Sequence, residues 1–434
     1  IHKEEKPSKF FTLPIGMLLC IWYTQDSGGS MRILACADIH MGRKPVLAQS
    51  GHSSWDAIIE KALSLAVDVV VLVGDVVEQE KAWLSVYGPL LKGLQTLKEA
   101  GIRVIGVGGN HDWNIFPRLV QDSDAITILG LGGKWESLDI GCVRFLGWSF
   151  RSSHEEANPL KEFPSDLPNP SLINLGLLHA DYGTALSAYA PVQEQDLLHS
   201  GVDLWMLGHI HKKGRVGAAK AYYCGSPYAL DVNEMGGHGL YLLETEEDLH
   251  FKEPLFIPLC PYRYETCCID VSGIADADGI QKQLTKSIRL CIQELKYEGT
   301  LFVKAVFTGT LALSLNLDQI MQKVGDDDVF FIEEQGVVAY LLDRYEDQTE
   351  LAIDLQQLSM GSGPDALLAR KLLDPIQLDR LARQYLSLDE ESCNSSAYSR
   401  LDSSSLSLEE AANLARQAGM RLLQAMVVQK EGER

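Results

Sequence analysis

Five short motifs that carry metal-ligand side chains follow one another in the first half of this 434-residue chain. Their candidate ligands are oxygen and imidazole groups, in the order Asp38, His40, Asp75, Asn110, His179, His209 and His211. Mixed nitrogen and oxygen ligation without thiolate suits manganese, iron or catalytic zinc rather than structural zinc. Two such ions about 3.5–4 Å apart clamp an in-line displacement at phosphorus. The motifs therefore predict two divalent ions, preferably Mn²⁺ with Fe or Zn as alternatives, that serve phosphoester chemistry.

Each motif stands directly after an apolar run, as if at the end of a strand. Asp38 follows the run Arg32–Ala37, and Gly74-Asp75 follows Val67–Val73. Continuous apolar runs are typical of strands buried on both faces, and ligands collect beyond the carboxyl ends of such strands. In the D-x-H and H-x-H motifs we expect extended backbone, on which side chains two residues apart point the same way. The pattern predicts that the ligands meet at one edge of an α/β structure.

The residues in and beside the motifs indicate individual roles. One carboxylate normally bridges paired ions, and Asp75 is the candidate. His111 is left over beside Asn110, so we expect it to face the substrate, where it protonates the leaving oxygen or steadies the phosphoryl charge. Asp112 is expected to orient His111 through its other ring nitrogen. Glycines before Asp75, Asn110 and His209 are expected to allow tight turns where the backbone passes the metals.

The chain carries a formal net charge of -21, and the acidity is spread over both halves. A strongly acidic surface repels phosphate backbones and anionic lipid. Any binding of nucleic acid must therefore depend on a local site. Arg43 and Lys44, just beyond the first motif, are the cleft cations that we expect to contact phosphate, although a role as solvated loop charges is equally open.

Cysteine usage and the first thirty residues bear on where the protein acts. Nine cysteines are present and none forms a CxxC pair, which favours reduced thiols in a reducing cytoplasm. The apolar stretch Phe10–Tyr23 lacks a signal-peptide cleavage pattern and is shorter than the roughly 20 residues that span a bilayer. We therefore expect residues 1–30 to be a non-native or upstream N-terminal extension, and we expect no association with a membrane.

The order of apolar runs and helical stretches predicts three further regions. Residues 31–258 alternate strand-like and helical patterns, as expected of an α/β catalytic domain. Residues 259–350 predict a small α+β capping domain, and residues 351–434 are helix formers separated by Gly- and Ser-rich breaks. A last helix is expected to open at Ser407, with Glu410 at capping-box spacing. It would present one apolar face made of Ala411, Leu414, Ala415, Ala418 and Leu422.

The ordered motifs D-x-H, G-D, G-N-H-D, a lone His and G-H-I-H resemble those of the calcineurin-like metallophosphoesterase superfamily. Gly225-Ser226-Pro227 with Asp231 and Glu234 is similar to the SbcD/YhaO-like DNA repair exonucleases of that superfamily, and so is Tyr262–Gly273. The resemblance implies a two-sheet sandwich flanked by helices, with a small α+β capping domain and a helical C-terminus. Glu78 stands where members of the family often carry Asp or His.

The resemblance also implies how the ligands are shared between the ions. One set would hold the first metal: Asp38, His40 and His211. Another set would hold the second metal: Asn110, His179 and His209. Asp75 would bridge the two ions, and His111 matches the catalytic histidine of the family.

These observations lead to one preferred function and two alternatives. The preferred function is a manganese-dependent DNA nuclease of DNA repair, 3′-to-5′ or single-strand endonucleolytic, with a possible homodimer. The resemblance implies a partner, an SbcC-like ATPase whose coiled coil docks on residues 351–434. The first alternative is a small-molecule phosphodiesterase or phosphatase, because the same metal site serves many substrates. The second is a catalytically weak subunit that acts as a scaffold for an ATPase.

Overall fold

The computed structural model describes residues 30–43, 53–78, 83–184, 186–312, 315–326, 331–393 and 407–432. The chain divides into two compact units that meet in sequence between Tyr264 and Glu265. The sequence also predicts a boundary between residues 350 and 351, which separates the capping domain from the helical region. That boundary stays a prediction. Among the described helices, none is long and apolar enough to cross a membrane.

The described strands of the first unit form two six-stranded sheets. In chain order they are β1 Arg32–Cys36, β2 Val69–Val73, β3 Arg103–Val107, β4 Thr127–Ile128, β5 Glu136–Ile140, β6 Val143–Trp148, β7 Ile173–His179, β8 Leu204–Gly208, β9 Gly214–Val216, β10 Ala221–Tyr223, β11 Gly239–Glu244 and β12 Leu255–Pro258. One sheet has the order β12-β11-β1-β2-β3-β4, and the other has the order β5-β6-β7-β8-β10-β9. Strands β1 to β4 are parallel in the first sheet, and so are β6, β7, β8 and β10 in the second.

The two sheets pack face to face, and this explains the continuous apolar runs. In β2, Val69, Val71 and Val73 belong to the core that also contains side chains of β7 and β8. The alternate residues Val70 and Leu72 belong to a second core, on the helix-covered face of the first sheet. Successive side chains of a strand point to opposite faces, so burial of both faces requires an unbroken apolar sequence. The predicted fold class, a two-sheet α/β sandwich flanked by helices, is confirmed.

Helices cover the outer faces of the sandwich. The helices of the first unit are α1 Ser54–Ser64, α2 Trp83–Glu99, α3 Ile115–Val120, a 3₁₀ helix at Pro159–Glu162 and α4 Glu194–Leu198. The hydroxyl of Ser53 accepts a hydrogen bond from the backbone N–H of Asp56 and so caps α1. A Cβ atom at Gly93 would lie 2.3 Å from Nε1 of Trp55, so this glycine lets α2 approach α1 closely.

The second unit combines a smaller sheet with helices. Its elements are β13 Tyr262–Asp270, which begins at the end of the first unit, α5 Ala277–Leu295, β14 Gly299–Thr308, β15 Thr310–Leu311, α6 Leu317–Asp326, β16 Phe331–Glu334, β17 Val337–Leu341, β18 Glu346–Asp347, β19 Glu350–Leu351, α7 Leu355–Ser359, α8 Pro364–Leu373, α9 Pro375–Cys393 and α10 Leu408–Gly432. The main sheet has the order β13-β14-β17-β16. Helix α5 buries Ile280, Leu284, Ile288 and Ile292 in the core of this sheet, an i, i+4 spacing that forms one face.

The last helix buries only part of its predicted apolar face. The capping box is present: the hydroxyl of Ser407 accepts from the N–H of Glu410, and the Glu410 carboxylate accepts from the N–H of Ser407. However, Ala411 and Leu423 are buried, whereas Leu414 and Leu422 are exposed. Adjacent positions on a helix are about 100° apart, so one residue of offset separates a buried row from an exposed row. Leu414 and Leu422 share the predicted face with Ala411, but that face is buried only at Ala411.

Candidate metal centre

The carboxyl ends of parallel strands from both sheets bring the predicted ligands together. Asp38, Asp75 and Asn110 follow β1, β2 and β3 of the first sheet, while His179 ends β7 of the second sheet. His209 and His211 follow β8, the neighbour of β7. Because the two sheets pack face to face, polar side chains at these strand ends meet at one edge of the sandwich.

Three of the ligands form what we term the first metal group, Asp38, His40 and His211. One ligand atom from each lies within 4.8 Å of the others. Nε2 of His40 is 3.2 Å from Nε2 of His211. The carboxylate of Asp38 accepts the backbone N–H of His209, at 3.1 and 3.2 Å from its two oxygens. This contact ties the end of β1 in one sheet to the end of β8 in the other.

The remaining three form the second metal group, Asn110, His179 and His209. Oδ1 of Asn110 lies 3.0 Å from Nε2 of His179 and 3.2 Å from Nδ1 of His209. Asp75 lies between the two groups, since its Oδ2 is 3.3 Å from Nε2 of His179 and 3.8 Å from Nε2 of His40. The structure therefore brings all seven predicted ligands together, and the assignment of each to one ion stays a prediction.

The backbone that presents these ligands is not extended. Four of them have a positive φ: Asp38 (52°), His40 (47°), Asp75 (50°) and His209 (96°). The prediction that the D-x-H and H-x-H motifs lie on extended strands was therefore wrong, because β1 ends at Cys36 and β8 ends at Gly208. Positive φ is uncommon outside glycine, and such strain persists where the surrounding structure enforces it. Here the N–H of Asp38 donates to Gly74 O at 3.1 Å, and the N–H of His40 to Asp75 O at 2.9 Å.

Two glycines are required by the close approach of the chains around the ligands. A Cβ atom at Gly109 would lie 2.2 Å from Oδ1 of Asp75. At Gly208 it would lie 2.1 Å from the carbonyl oxygen of Val73 and 2.6 Å from Nδ1 of His179. All three distances are far shorter than any tolerable contact, so a side chain at either glycine would displace a predicted ligand.

The imidazoles of the two groups are oriented by different partners. In the first metal group, Nδ1 of His40 lies 2.8 Å from Oε2 of Glu78, and Nδ1 of His211 lies 2.7 Å from Oε1 of Glu234. In the second, Nδ1 of the buried His179 lies 3.0 Å from the carbonyl oxygen of Val73. Partners on the far nitrogen fix the ring and its tautomer, leaving Nε2 free to bind a metal.

The electrostatics of the site centre on Asp75 and His179. Burial lowers the pKa of His179, but the charges of Asp75 and Asp38 outweigh this effect and raise the pKa to about 9. Burial opposes ionisation of Asp75, yet His179 holds its pKa well below the usual range. Burial lowers the pKa of His209 to about 4, which leaves that ring in the neutral form that binds metals. His179 would have to lose this proton to act as a ligand of a divalent ion.

The donor set fits a pair of divalent ions. Asp38 and Asp75 are 0% and 2% exposed. Buried carboxylates are costly unless they are paired or coordinate a metal. The Nε2 atoms of His40 and His211 converge on one point, where both nitrogens would coordinate a shared cation. The side chains, burial and chemistry of the first metal group therefore fit a cation site.

The partner of His111 differs from its prediction. Nδ1 of His111 lies 3.4 Å from Oε1 of Glu78, so one carboxylate contacts both His111 and His40. Asp112 is fully buried, and its oxygens accept from the N–H groups of Val76 (2.7 Å) and Gly109 (2.8 Å). The prediction that Asp112 orients the His111 ring was therefore wrong: Asp112 braces the loops that carry the ligands, because burial supplies it with backbone donors.

The structure describes one of the two predicted cleft cations, Arg43. Arg43 is exposed, and its charge contributes to the low pKa of Glu78, after the larger effect of His40. Its backbone N–H donates to the carbonyl oxygen of His40 at 2.9 Å, which keeps Arg43 beside the first metal group. Lys44 lies outside the described residues. A role for either residue in binding phosphate stays a prediction.

Sequence reasoning missed the orienting roles of Glu78 and Glu234. Glu78 drew attention only as a departure from the family pattern, and Glu234 only as part of a resemblance. Glu234 lies 23 positions from His211, and no local periodicity connects them. The available signal was chemical, since a metal-ligating histidine almost always has an acceptor on its other nitrogen.

Comparison with known proteins agrees with this geometry. Residues 31–213 match the model of the calcineurin-like phosphoesterase family. The matched segment begins one residue before β1 and ends just after His211, so it contains all seven predicted ligands. This family uses a dinuclear metal centre.

Three curated relatives are similar at low identity. The uncharacterized metallophosphoesterase YhaO of Bacillus subtilis is 24% identical over 76% of this chain and 84% of its own length. The DNA double-strand break repair protein Mre11 of Methanopyrus kandleri is 22% identical over 50% of this chain and 54% of its own length. Mre11 of Haloferax volcanii is 25% identical over 71% of this chain and 72% of its own length. Through residues 31–213, this chain is similar to the calcineurin-like phosphoesterase family.

Proposed function

We propose that this chain is a two-metal phosphodiesterase that acts on DNA, as an exonuclease or endonuclease of DNA repair. The observation that carries the proposal is the convergence of six predicted ligand side chains around Asp75, with the more exposed His111 beside His40 and Glu78. The names of two relatives, both DNA double-strand break repair proteins, support DNA as the substrate. Mn²⁺ as the preferred ion and a cytoplasmic location belong to the same proposal.

Most of these residues would hold the ions, and His111 would contact the substrate. The first metal group, the second metal group and Asp75 would hold the two ions, which supply positive charge at phosphorus when bound. The His111 side chain is 34% exposed, whereas those of His40 and Asp75 are 1% and 3% exposed. His111 can therefore reach a substrate that the buried ligands cannot. With Nδ1 held by Glu78, its Nε2 is free to give a proton to the leaving oxygen.

We further propose that the C-terminal helices dock on the coiled coil of an SbcC-like ATPase. Helices α8, α9 and α10 each expose large apolar side chains, including Leu367, Ile376 and Leu422. Within the same helices Ala369, Leu372 and Leu423 form a small core. The helices therefore pack against one another and still expose apolar surface that a partner could cover.

A homodimer is supported by a separate surface. Helix α2 exposes Trp83, Leu84 and Tyr87, three large apolar side chains within five residues of one helix. Such clusters are uncommon on monomeric proteins and indicate association. A second copy of the chain would bury the cluster by the two-fold pairing that is usual for homodimers.

One observation favours the alternative, a phosphodiesterase or phosphatase for small molecules. The net charge of -21 opposes approach of a long polyanion, whereas a small diester meets only the local field of the site. A panel of substrates with Mn²⁺ separates the two functions: linear and hairpin DNA, a bis-nitrophenyl phosphodiester and a nitrophenyl monoester. The proposal expects DNA and the phosphodiester to be cleaved, with little hydrolysis of the monoester. Hydrolysis of small substrates without any cleavage of DNA would overturn the DNA assignment in favour of the alternative.

A further inference from the structure

Four rings run outward from the candidate metal centre in a continuous series. The ring of His179 is fully buried and meets that of His209, with centroids 5.3 Å apart. Tyr189 covers His209 at 4.8 Å and a tilt of 37°. His154 stacks on Tyr189 at 5.8 Å and 28°. Burial falls along the series, from His179 in the interior to the exposed His154.

The outer two rings are held in place by the backbone between them. The N–H of Glu155 donates to Ala188 O at 2.8 Å, and the N–H of Ala190 donates to Glu155 O at 2.6 Å. These two bonds flank Tyr189 and fix it beside the segment that carries His154. The buried carboxylate of Glu155 is also bound by Arg151, through Nε at 2.5 Å and Nη2 at 3.0 Å.

Two further contacts orient the ring series. The hydroxyl of Ser153 lies 2.9 Å from Nδ1 of His154, which fixes the plane of the outermost ring. The N–H of Asp181 donates to the carbonyl oxygen of Tyr189 at 2.9 Å, and Oδ1 of Asp181 lies 3.5 Å from Nε2 of His209. The rings are therefore pre-organised, so a ligand that stacks on them does not have to order them first.

We propose that His154, supported by Tyr189, is a stacking platform for a nucleobase of single-stranded substrate near the phosphodiester held at the metal centre. The inference rests on the proposed function, because it assigns a binding site to the base of that substrate. His154 lies within two ring-to-ring steps of the ligand His209, so a base on it belongs to a nucleotide close to the reacting phosphate. Stacking of bases on aromatic side chains tolerates any sequence, since every base has a π face.

The net negative charge of the chain increases the contribution that stacking must make to nucleotide affinity. Most proteins that bind single strands combine stacking with a positively charged groove. In this chain, with a net charge of -21, long-range attraction for phosphates is absent or reversed. Affinity for a nucleotide must then come from short-range contacts, and a rigid series of rings beside the metal centre supplies one.

The test compares His154→Ala with His199→Ala, a matched change at an exposed histidine of the same unit, whose Nδ1 lies 2.7 Å from Gln195 O. The substrates are single-stranded oligonucleotides of one sequence, either intact or with one abasic residue at successive positions around the cleaved bond. We expect the wild-type protein and His199→Ala to prefer the intact strand in kcat/KM by roughly 5- to 20-fold over one abasic position. In His154→Ala this preference should fall to about one, with metal content and thermal unfolding as in the wild type.

A second readout does not depend on turnover. A strand with 2-aminopurine is titrated with each protein in EDTA, because stacking quenches the fluorescence of that base. We expect quenching with the wild type and His199→Ala, and its loss with His154→Ala. Equal preference for the intact strand in wild type and His154→Ala, or no quenching by the wild type, would overturn the platform. Quenching that depends on His154 in a protein that cleaves no DNA would instead keep the platform and overturn the nuclease.

Discussion

The two metal groups differ in what stands behind their imidazoles. In the first, His40 and His211 each face a glutamate, Glu78 and Glu234. In the second, His179 faces a backbone carbonyl, the Asp181 carboxylate lies farther from His209, at 3.5 Å from Nε2, and the oxygen ligand is the neutral amide of Asn110. A carboxylate behind an imidazole makes the ring a more basic and better ligand. We therefore expect the first metal group to bind its ion more tightly. The metal affinity of the second group should depend mainly on the rigid placement of its ligands.

The largest effect is expected from Asp75→Asn, because Asp75 lies between the two groups. Loss of its charge removes the bridging ligand and leaves His179 without its main ionic partner. We expect loss of at least one ion per chain and of phosphodiesterase activity together, measured by elemental analysis and by hydrolysis of a bis-nitrophenyl diester. Asp139→Asn, which changes an exposed carboxylate paired with Arg144, is the control. Full metal content in Asp75→Asn would show that the two groups do not depend on a shared carboxylate.

The next effect is expected from His111→Ala, which removes a ring that lies beside His40 and Glu78 and that we predict to bind neither ion. Turnover should fall by roughly 10²–10⁴-fold, the usual range when a general acid or base is removed. Metal content should stay near that of the wild type. Loss of one ion per chain would instead make His111 a ligand and change the composition of the groups.

A smaller effect is expected from Glu78→Gln and Glu234→Gln, which form a matched pair. Each removes the charge behind one imidazole of the first metal group, so each should weaken binding of one ion by roughly 10- to 100-fold in a calorimetric titration. Only Glu78 also contacts His111, at 3.4 Å. At saturating metal, turnover should therefore fall in Glu78→Gln and recover in Glu234→Gln. Equal turnover of the two variants at saturating metal would remove Glu78 from the handling of substrate.

The smallest effect on catalysis is expected from substitutions of two neighbouring leucines of α10. These substitutions should change only the stability of the protein, and to different extents. Leu423 is fully buried against Ala369 and Leu372, while Leu422 is 57% exposed. Leu423→Ala should lower the free energy of unfolding by about 2–5 kcal/mol, and Leu422→Ala should change it by less than about 0.5 kcal/mol. Urea denaturation measures both. If Leu422→Ala nevertheless abolishes co-purification with an ATPase partner, the docking proposal gains support, and unchanged co-purification would count against it.

The convergence of the seven predicted ligands could be foreseen from sequence, because each one follows an apolar run and parallel strands place their ends at one edge. The α/β pattern followed from runs such as Val69–Val73, whose alternate residues fill two different cores, whereas the two-sheet arrangement was implied by the family resemblance. The conformation of Asp38 and His40 could not be predicted, because left-handed backbone there is held by hydrogen bonds to Gly74 and Asp75, which follow β2 and are far away in sequence.

The other errors have a similar origin in contacts between distant segments. Asp112 is adjacent to His111 in sequence, yet its buried oxygens are taken by backbone donors, and the more distant Glu78 reaches the ring. In α10 the residue types allowed two apolar rows, and only packing against α8 decides which is buried. Sequence patterns therefore predict which residues gather at the site better than they predict which of them touch.

The central claim is that two ions share Asp75 while His111 binds neither. Crystals of the protein grown with Mn²⁺ and measured at the manganese absorption edge test it most directly. We predict two anomalous peaks about 3.5–4 Å apart on either side of the Asp75 carboxylate, one near His40 and His211 and the other near His179. The His111 ring should lie outside the coordination distance of both. A single peak, peaks away from Asp75, or a peak coordinated by His111 would contradict the account.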